Sequence, residues 1–105
     1  MKYLLIIKPR SVPPPAALRA HKEWVLLQEK RGRFQMSHCF AAEVGGFTVA
    51  NVNSLEELND LHFEAPAGPY CDIEIHPLVD FALQMDRLAD LLERSSRIEP
   101  AKEEK

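Results

Sequence analysis

Apolar residues recur along this chain at two different periods, and the changes of period divide it into elements. Residues 2–8 (KYLLIIK) hold a short continuous apolar run closed by Pro9, the pattern of a strand buried on both faces. Pro13, Pro14 and Pro15 follow, a stiff extended connector that fixes φ and delays any helix. From Ala16 to Arg31 the apolar positions fall at helical spacing, and Gly32 stands where a C-terminal cap belongs. Residues 33–42 alternate instead, with Phe34, Met36, His38 and Phe40 on one face. The turn "EVGG" leads into "FTVANV", so these two strands read as a hairpin. Ser54 is the N-cap of "SLEELNDLHF", and Glu57 three positions on completes a capping box. After a loop at 65–69, residues 71–78 form the last strand. Asp80 caps a third helix with Phe81, Met85, Leu88 and Leu92 on one stripe. The closing "IEPAKEEK" reads as a charged, disordered tail.

The order of elements predicts an α+β fold, ferredoxin-like β-α-β-β-α-β with a C-terminal helix. Such a chain forms a four-stranded antiparallel sheet in the order 4-1-3-2, with two helices on one face. The second and fourth strands are then opposite edges, which places Cys39 and Cys71 too far apart to bond. The other sheet face carries apolar residues and needs a cover, either the third helix or the sheet of a partner. A homodimer or larger homo-oligomer is the expected partner state.

Composition narrows the function without choosing it. At 105 residues the chain is expected to be a single domain over 1–95 with the tail over 96–105. A net charge of -3 and the lack of a Lys/Arg cluster argue against nucleic acid and anionic membrane as partners. The first apolar run is too short for a signal-peptide core or a membrane span, so the expected location is cytoplasmic. Two cysteines make no disulfide framework, and four scattered histidines show no metal-ligand spacing. No Gly-rich phosphate loop or GxSxG elbow is present. Neither a metal nor a cofactor is expected.

Polar groups aimed into apolar surroundings mark the candidate site. At about 100° per residue, the first helix gathers Ala17, Leu18, Ala20, Trp24, Val25 and Leu27 into one arc. His21 and Gln28 fall near its centre, while Arg19, Lys22, Glu23, Glu29 and Lys30 lie on its flanks or opposite side. His38 shares the predicted face of Phe34, Met36 and Phe40, so His21 and His38 are expected to line one pocket. A hydrogen-bonded core histidine is the plain alternative for each. Histidine suits proton transfer because its ordinary pKa, about 6.5, lets it give or take a proton near neutrality. On the last strand Asp72 and Glu74 share a face at a spacing of two, a possible acid pair. Facing away from the helices, Tyr70, Asp72 and Glu74 are expected to serve sheet closure and subunit assembly. His62 and His76 are expected at the surface.

The stretch "GGFTVANVNSLEELNDLHFEAPAGPYCDIEIHPL" resembles the muconolactone isomerase family. The resemblance rests on Phe47, Ser54, Glu56, Leu58, Asp60, Pro66, Pro69, Tyr70, Asp72, Ile73 and Glu74, and extends more weakly back through the first helix. It implies a dimeric α+β barrel of ferredoxin-like subunits that moves a proton along an unsaturated lactone through a dienolate, without a cofactor. The family's inward Glu-Lys-Glu segment corresponds here to His21, Lys22 and Glu23. His38 stands where family members carry Trp, and Glu43 where some carry His. These departures favour a related substrate, a small apolar unsaturated lactone or a polyketide or aromatic-pathway intermediate. The expected catalytic residues are His21, His38 and Glu23, and the expected substrate-binding residues are Lys22, Trp24, Gln28, Phe34, Met36 and Phe40. Two alternatives stand beside this isomerase or cyclase: a cofactor-independent monooxygenase of the same architecture, and a non-catalytic small-ligand-binding oligomer.

Overall fold

A computed structural model describes residues 1–98 of the chain, and side chains up to residue 95. Its elements are β1 (Lys2–Pro9), α1 (Pro15–Lys30), β2 (Phe34–Cys39), β3 (Gly46–Asn51), α2 (Leu55–Glu64), a 3-10 turn (Gly68–Tyr70), β4 (Cys71–Leu78) and α3 (Phe81–Ile98). The four strands make one antiparallel sheet in the order β2-β3-β1-β4. This is the ferredoxin-like α+β arrangement expected from the sequence. Of the tail expected over 96–105, residues 96–98 belong to α3 and 99–105 lie outside the described residues.

Local chemistry explains most boundaries. Pro14 is extended at φ -63 and Pro15 takes the first helical position, where its missing N–H is no loss. At the other end of α1, Gly32 adopts φ 80. Its N–H donates to the Glu29 carbonyl at 3.1 Å and that of Arg33 to Gln28 at 3.0 Å, which satisfies the last carbonyls of the helix. Ser54 caps α2 by accepting from the Glu57 amide at 3.1 Å. The Glu57 carboxylate reaches back to the Asn53 amide at 2.9 Å, one residue before the usual capping-box partner.

The register separates the sheet into two faces. Tyr3, Leu5 and Ile7 pair with Ala50, Thr48 and Gly46 on one side and with Pro77, Ile75 and Ile73 on the other. This face packs under the first two helices, and its core is Tyr3, Leu5, Phe34, Ala50, Val52, Leu58 and Leu61. Leu4, Ile6, Phe47 and Val49 alternate with those residues and line the opposite, open face. On β4 the open-face residues Asp72 and Glu74 are engaged in ion pairs, with Arg10 at 2.7 Å and Lys8 at 3.0 Å. Paired to neighbouring cations at exposed positions, they do not form an acid dyad.

Two expectations change here. Phe34 pairs with Ala50 while Met36 pairs with Val49, so Gln35 forms a bulge. One inserted residue reverses the alternation. Phe34, Ser37 and Cys39 therefore share the helix face, whereas Met36 and His38 turn to the open face beside Val49 and Phe47. The third helix, in turn, makes no substantial packing contact with the sheet. Phe81, Leu83, Met85, Leu88, Leu91 and Leu92 are all exposed, and α3 leaves the open face uncovered. Cys39 and Cys71 are free thiols on β2 and β4, the opposite edges of the sheet. No helix among the described residues is long and apolar enough to cross a membrane.

Candidate functional site

His21 stands on the boundary between two hollows on the helix face of the sheet. Inside lies a small cavity of about 50 Å³, bordered by Leu5, Trp24, Phe34, Leu58, Leu61 and His62 among others. Outside lies a cleft of about 450 Å³ between α1, the tip of the β2–β3 hairpin and the end of β1. Such a volume suits a small organic ligand, and the walls are mostly apolar, through Ile7, Leu18, Val25, Leu26 and Val44. The polar groups on the cleft are few: His21, Lys22, Glu29, Ser37, His38 and Thr48, with the two cysteines at its edges.

The imidazole is held from two sides. Trp24, one turn along α1, lies with ring centroids 5.6 Å from His21, and packs edge-on against Phe34 at 5.4 Å. On the other side the backbone N–H of Ala67 donates to His21 Nδ1 at 3.3 Å. The Ala67 loop is itself anchored. Gly68 passes so close to α2 that a Cβ would sit 2.6 Å from the His62 carbonyl. The Tyr70 carbonyl accepts from the Arg10 amide at 2.8 Å, and the Arg10 guanidinium donates to the Pro69 carbonyl at 2.7 Å. Nε2 of His21 has no protein partner among the described residues and is not sealed from solvent. Burial lowers the His21 pKa below the ordinary histidine value, so the ring is neutral at pH 7.

The cleft floor carries a hydroxyl pair, Ser37 Oγ and Thr48 Oγ1, 2.9 Å apart. Cys71 is buried at the cleft edge, and that burial raises its thiol pKa despite the opposing charge of Arg10. It is therefore a neutral thiol rather than a ready nucleophile. Among the described residues no group of three or more His, Cys, Asp or Glu is placed to hold a metal.

The other candidate residues separate into distinct places. Lys22 borders the cleft. Trp24 and Phe34 border the small cavity, and Phe34 also belongs to the core. Gln28 is 1% exposed and accepts from the Arg33 guanidinium at 3.3 Å, which makes it a buried structural contact outside the cleft. Glu23 is exposed and borders neither hollow. The ring of His38 lies on the open face, 5.6 Å from that of Phe47, and Met36 is exposed there. His38 also borders the cleft, at the β2–β3 hairpin, and its carbonyl faces Gly46. Phe40 lies 6.4 Å from Phe47 by ring centroids. His21 and His38 thus border the same cleft, although the bulge takes His38 off the strand face that Phe34 occupies.

Glu29 is the carboxylate that borders the cleft among the described residues, although helical projection puts it outside the inward apolar arc of α1. A second stripe carried the signal: Leu18, Lys22, Val25, Leu26 and Glu29 recur at spacings of three and four. An α1 face next to the inward one was therefore available, although nothing in the pattern said that a hollow lay beside it.

No protein-family model matches the sequence, and no curated protein matches it. Among solved structures, the chain is similar to a crystal structure of muconolactone isomerase, with a TM-score of 0.65 at 24% identity over 76% of this chain and 90% of the other. At that identity the likeness shows the fold alone: this chain shares the α+β fold of that isomerase.

Proposed function

We propose that this chain is a cofactor-free isomerase or cyclase that moves a proton on a small, apolar, unsaturated compound bound in the cleft. A lactone or a polyketide or aromatic-pathway intermediate fits that description. One observation carries the reading: a neutral, half-buried histidine with a free Nε2 borders a mostly apolar cleft of about 450 Å³. The solved muconolactone isomerase of the same fold is named for an isomerisation, which supports the same class of chemistry.

The reaction needs a group to take a proton from carbon and a donor to hold the oxygen that becomes negative. In this reading the Glu29 carboxylate removes the proton as the C–H electrons form a dienolate, then returns it further along the conjugated system. His21 serves the oxygen end. Lys22 orients the ligand at the cleft mouth, and the Ser37–Thr48 hydroxyls offer further hydrogen bonds on the floor. The proton is conserved, and no oxidant enters.

The active form in this reading is a homodimer or larger homo-oligomer in the cytoplasm. Support for assembly comes from two unpaired apolar surfaces, the exposed stripe of α3 and the open sheet face with Leu4, Ile6, Phe47 and Val49.

The test is a panel of unsaturated lactones and ring ketones incubated with the protein in D₂O and followed by NMR. Enzyme-dependent deuterium incorporation with double-bond migration is the expected result. Oxygen consumption coupled to loss of substrate, without such exchange, would assign the monooxygenase alternative instead.

A further inference from the structure

The contact between Ala67 and His21 fixes more than an orientation. A backbone amide is a donor only, so the ring nitrogen it meets must present a lone pair. Nδ1 of His21 meets that amide at 3.3 Å and therefore carries no proton. In a neutral imidazole the one proton then lies on Nε2, the nitrogen left open. We propose that the Ala67 amide holds His21 in the Nε2–H tautomer, so that the ring presents the cleft with a neutral hydrogen-bond donor and not with a base. This inference rests on the proposed proton-transfer chemistry and divides its labour: His21 steadies the developing oxyanion, and the carbon proton belongs to a different group.

Three features support it. The loop bearing Ala67 is clamped between the close approach of Gly68 to α2 and the two bonds from Arg10, so the N–H cannot easily turn aside. Protonating the ring would place a hydrogen on Nδ1 against the Ala67 N–H and break that bond. The ionisable groups around the ring do not force a charge on it. His62 borders the small cavity, and Lys22, Glu29, His38, Cys39 and Cys71 border the cleft, yet none is bonded to the ring among the described residues. The net effect of the site is to disfavour the imidazolium. A neutral imidazole N–H can serve as the electrophile, stabilising a developing oxyanion by a preorganised hydrogen bond.

The test needs no substrate, so its outcome is independent of whether the isomerase reading holds. Two-bond ¹⁵N–¹H correlation spectra of the uniformly ¹⁵N-labelled protein, recorded from pH 5 to 8, report the tautomer of each of the four histidines. At pH 7 His21 is expected to show a protonated Nε2 and a bare Nδ1, with a titration midpoint lower than in an unfolded control. Ala67→Pro, which removes the donor, is expected to let the Nδ1–H form appear while His38, His62 and His76 are unchanged. An Nδ1–H tautomer, or an imidazolium at pH 7, in the wild-type protein would overturn the proposal whether or not the variant folds.

Discussion

The amide of Ala67 and Nδ1 of His21 are 3.3 Å apart across 46 positions of sequence, joining the loop after α2 to the inward face of α1. That bond couples folding to protonation. Burial depresses the His21 pKa in the folded state, so below the ordinary histidine pKa, about 6.5, the unfolded chain binds the extra proton. Stability from this group is full above that pH and declines as pH falls through the folded value. Urea midpoints measured at pH 7.5 and pH 5 should therefore fall more for wild type than for His21→Gln. Equal falls would remove His21 from the acid response.

Glu29 and Glu23 lie on the same helix but only Glu29 borders the cleft. Glu29→Gln should reduce kcat by about 10²-fold, the usual scale for loss of an acid–base group, with KM much less affected. Glu23→Gln should cost clearly less. A similar loss in both would show that cleft position does not decide the role.

Gly45 closes the β2–β3 hairpin at φ +126, and a Cβ there would stand 2.7 Å from the Ile7 carbonyl oxygen. Gly45→Ala combines an unfavourable backbone region with a collision, and should destabilise the protein by about 1–3 kcal/mol. The hairpin tip borders the cleft, so ligand affinity should weaken as well. Chemical denaturation and a binding titration read the two effects separately.

Leu88 and Leu92 lie on the exposed stripe of α3, at 40% and 67% exposure. If that stripe makes a subunit contact, changing both to Glu should lower the sedimentation mass while the far-ultraviolet circular dichroism keeps its shape. An unchanged mass would move the contact elsewhere.

The sequence carried the fold because its periods agreed with its punctuation. Three prolines, Gly32 and the Ser54–Glu57 box stand at the ends of elements whose spacing had already marked them. Gln35 was the point of failure. A bulge adds one residue without a Gly or Pro to announce it, and it placed Met36 and His38 on the face opposite Phe34. The position of His21 followed from helical angle alone. Its tautomer did not, because the Ala67 amide comes from a loop 46 positions away and backbone donors leave no trace in composition. Gln28 looked functional because it pointed inward, but Arg33 answers its side chain locally. The undocked α3 was equally hidden, since an amphipathic stripe does not say which chain it will cover.

His21 is proposed to serve proton transfer in this cleft. The most direct test of that role is the initial rate of deuterium exchange into the best compound of the lactone and ketone panel, compared among wild type, His21→Ala and His21→Gln. A loss of at least about 10²-fold is expected for His21→Ala and a distinctly smaller one for His21→Gln, whose amide still donates a hydrogen bond. A folded His21→Ala protein that exchanges at close to the wild-type rate would contradict that role.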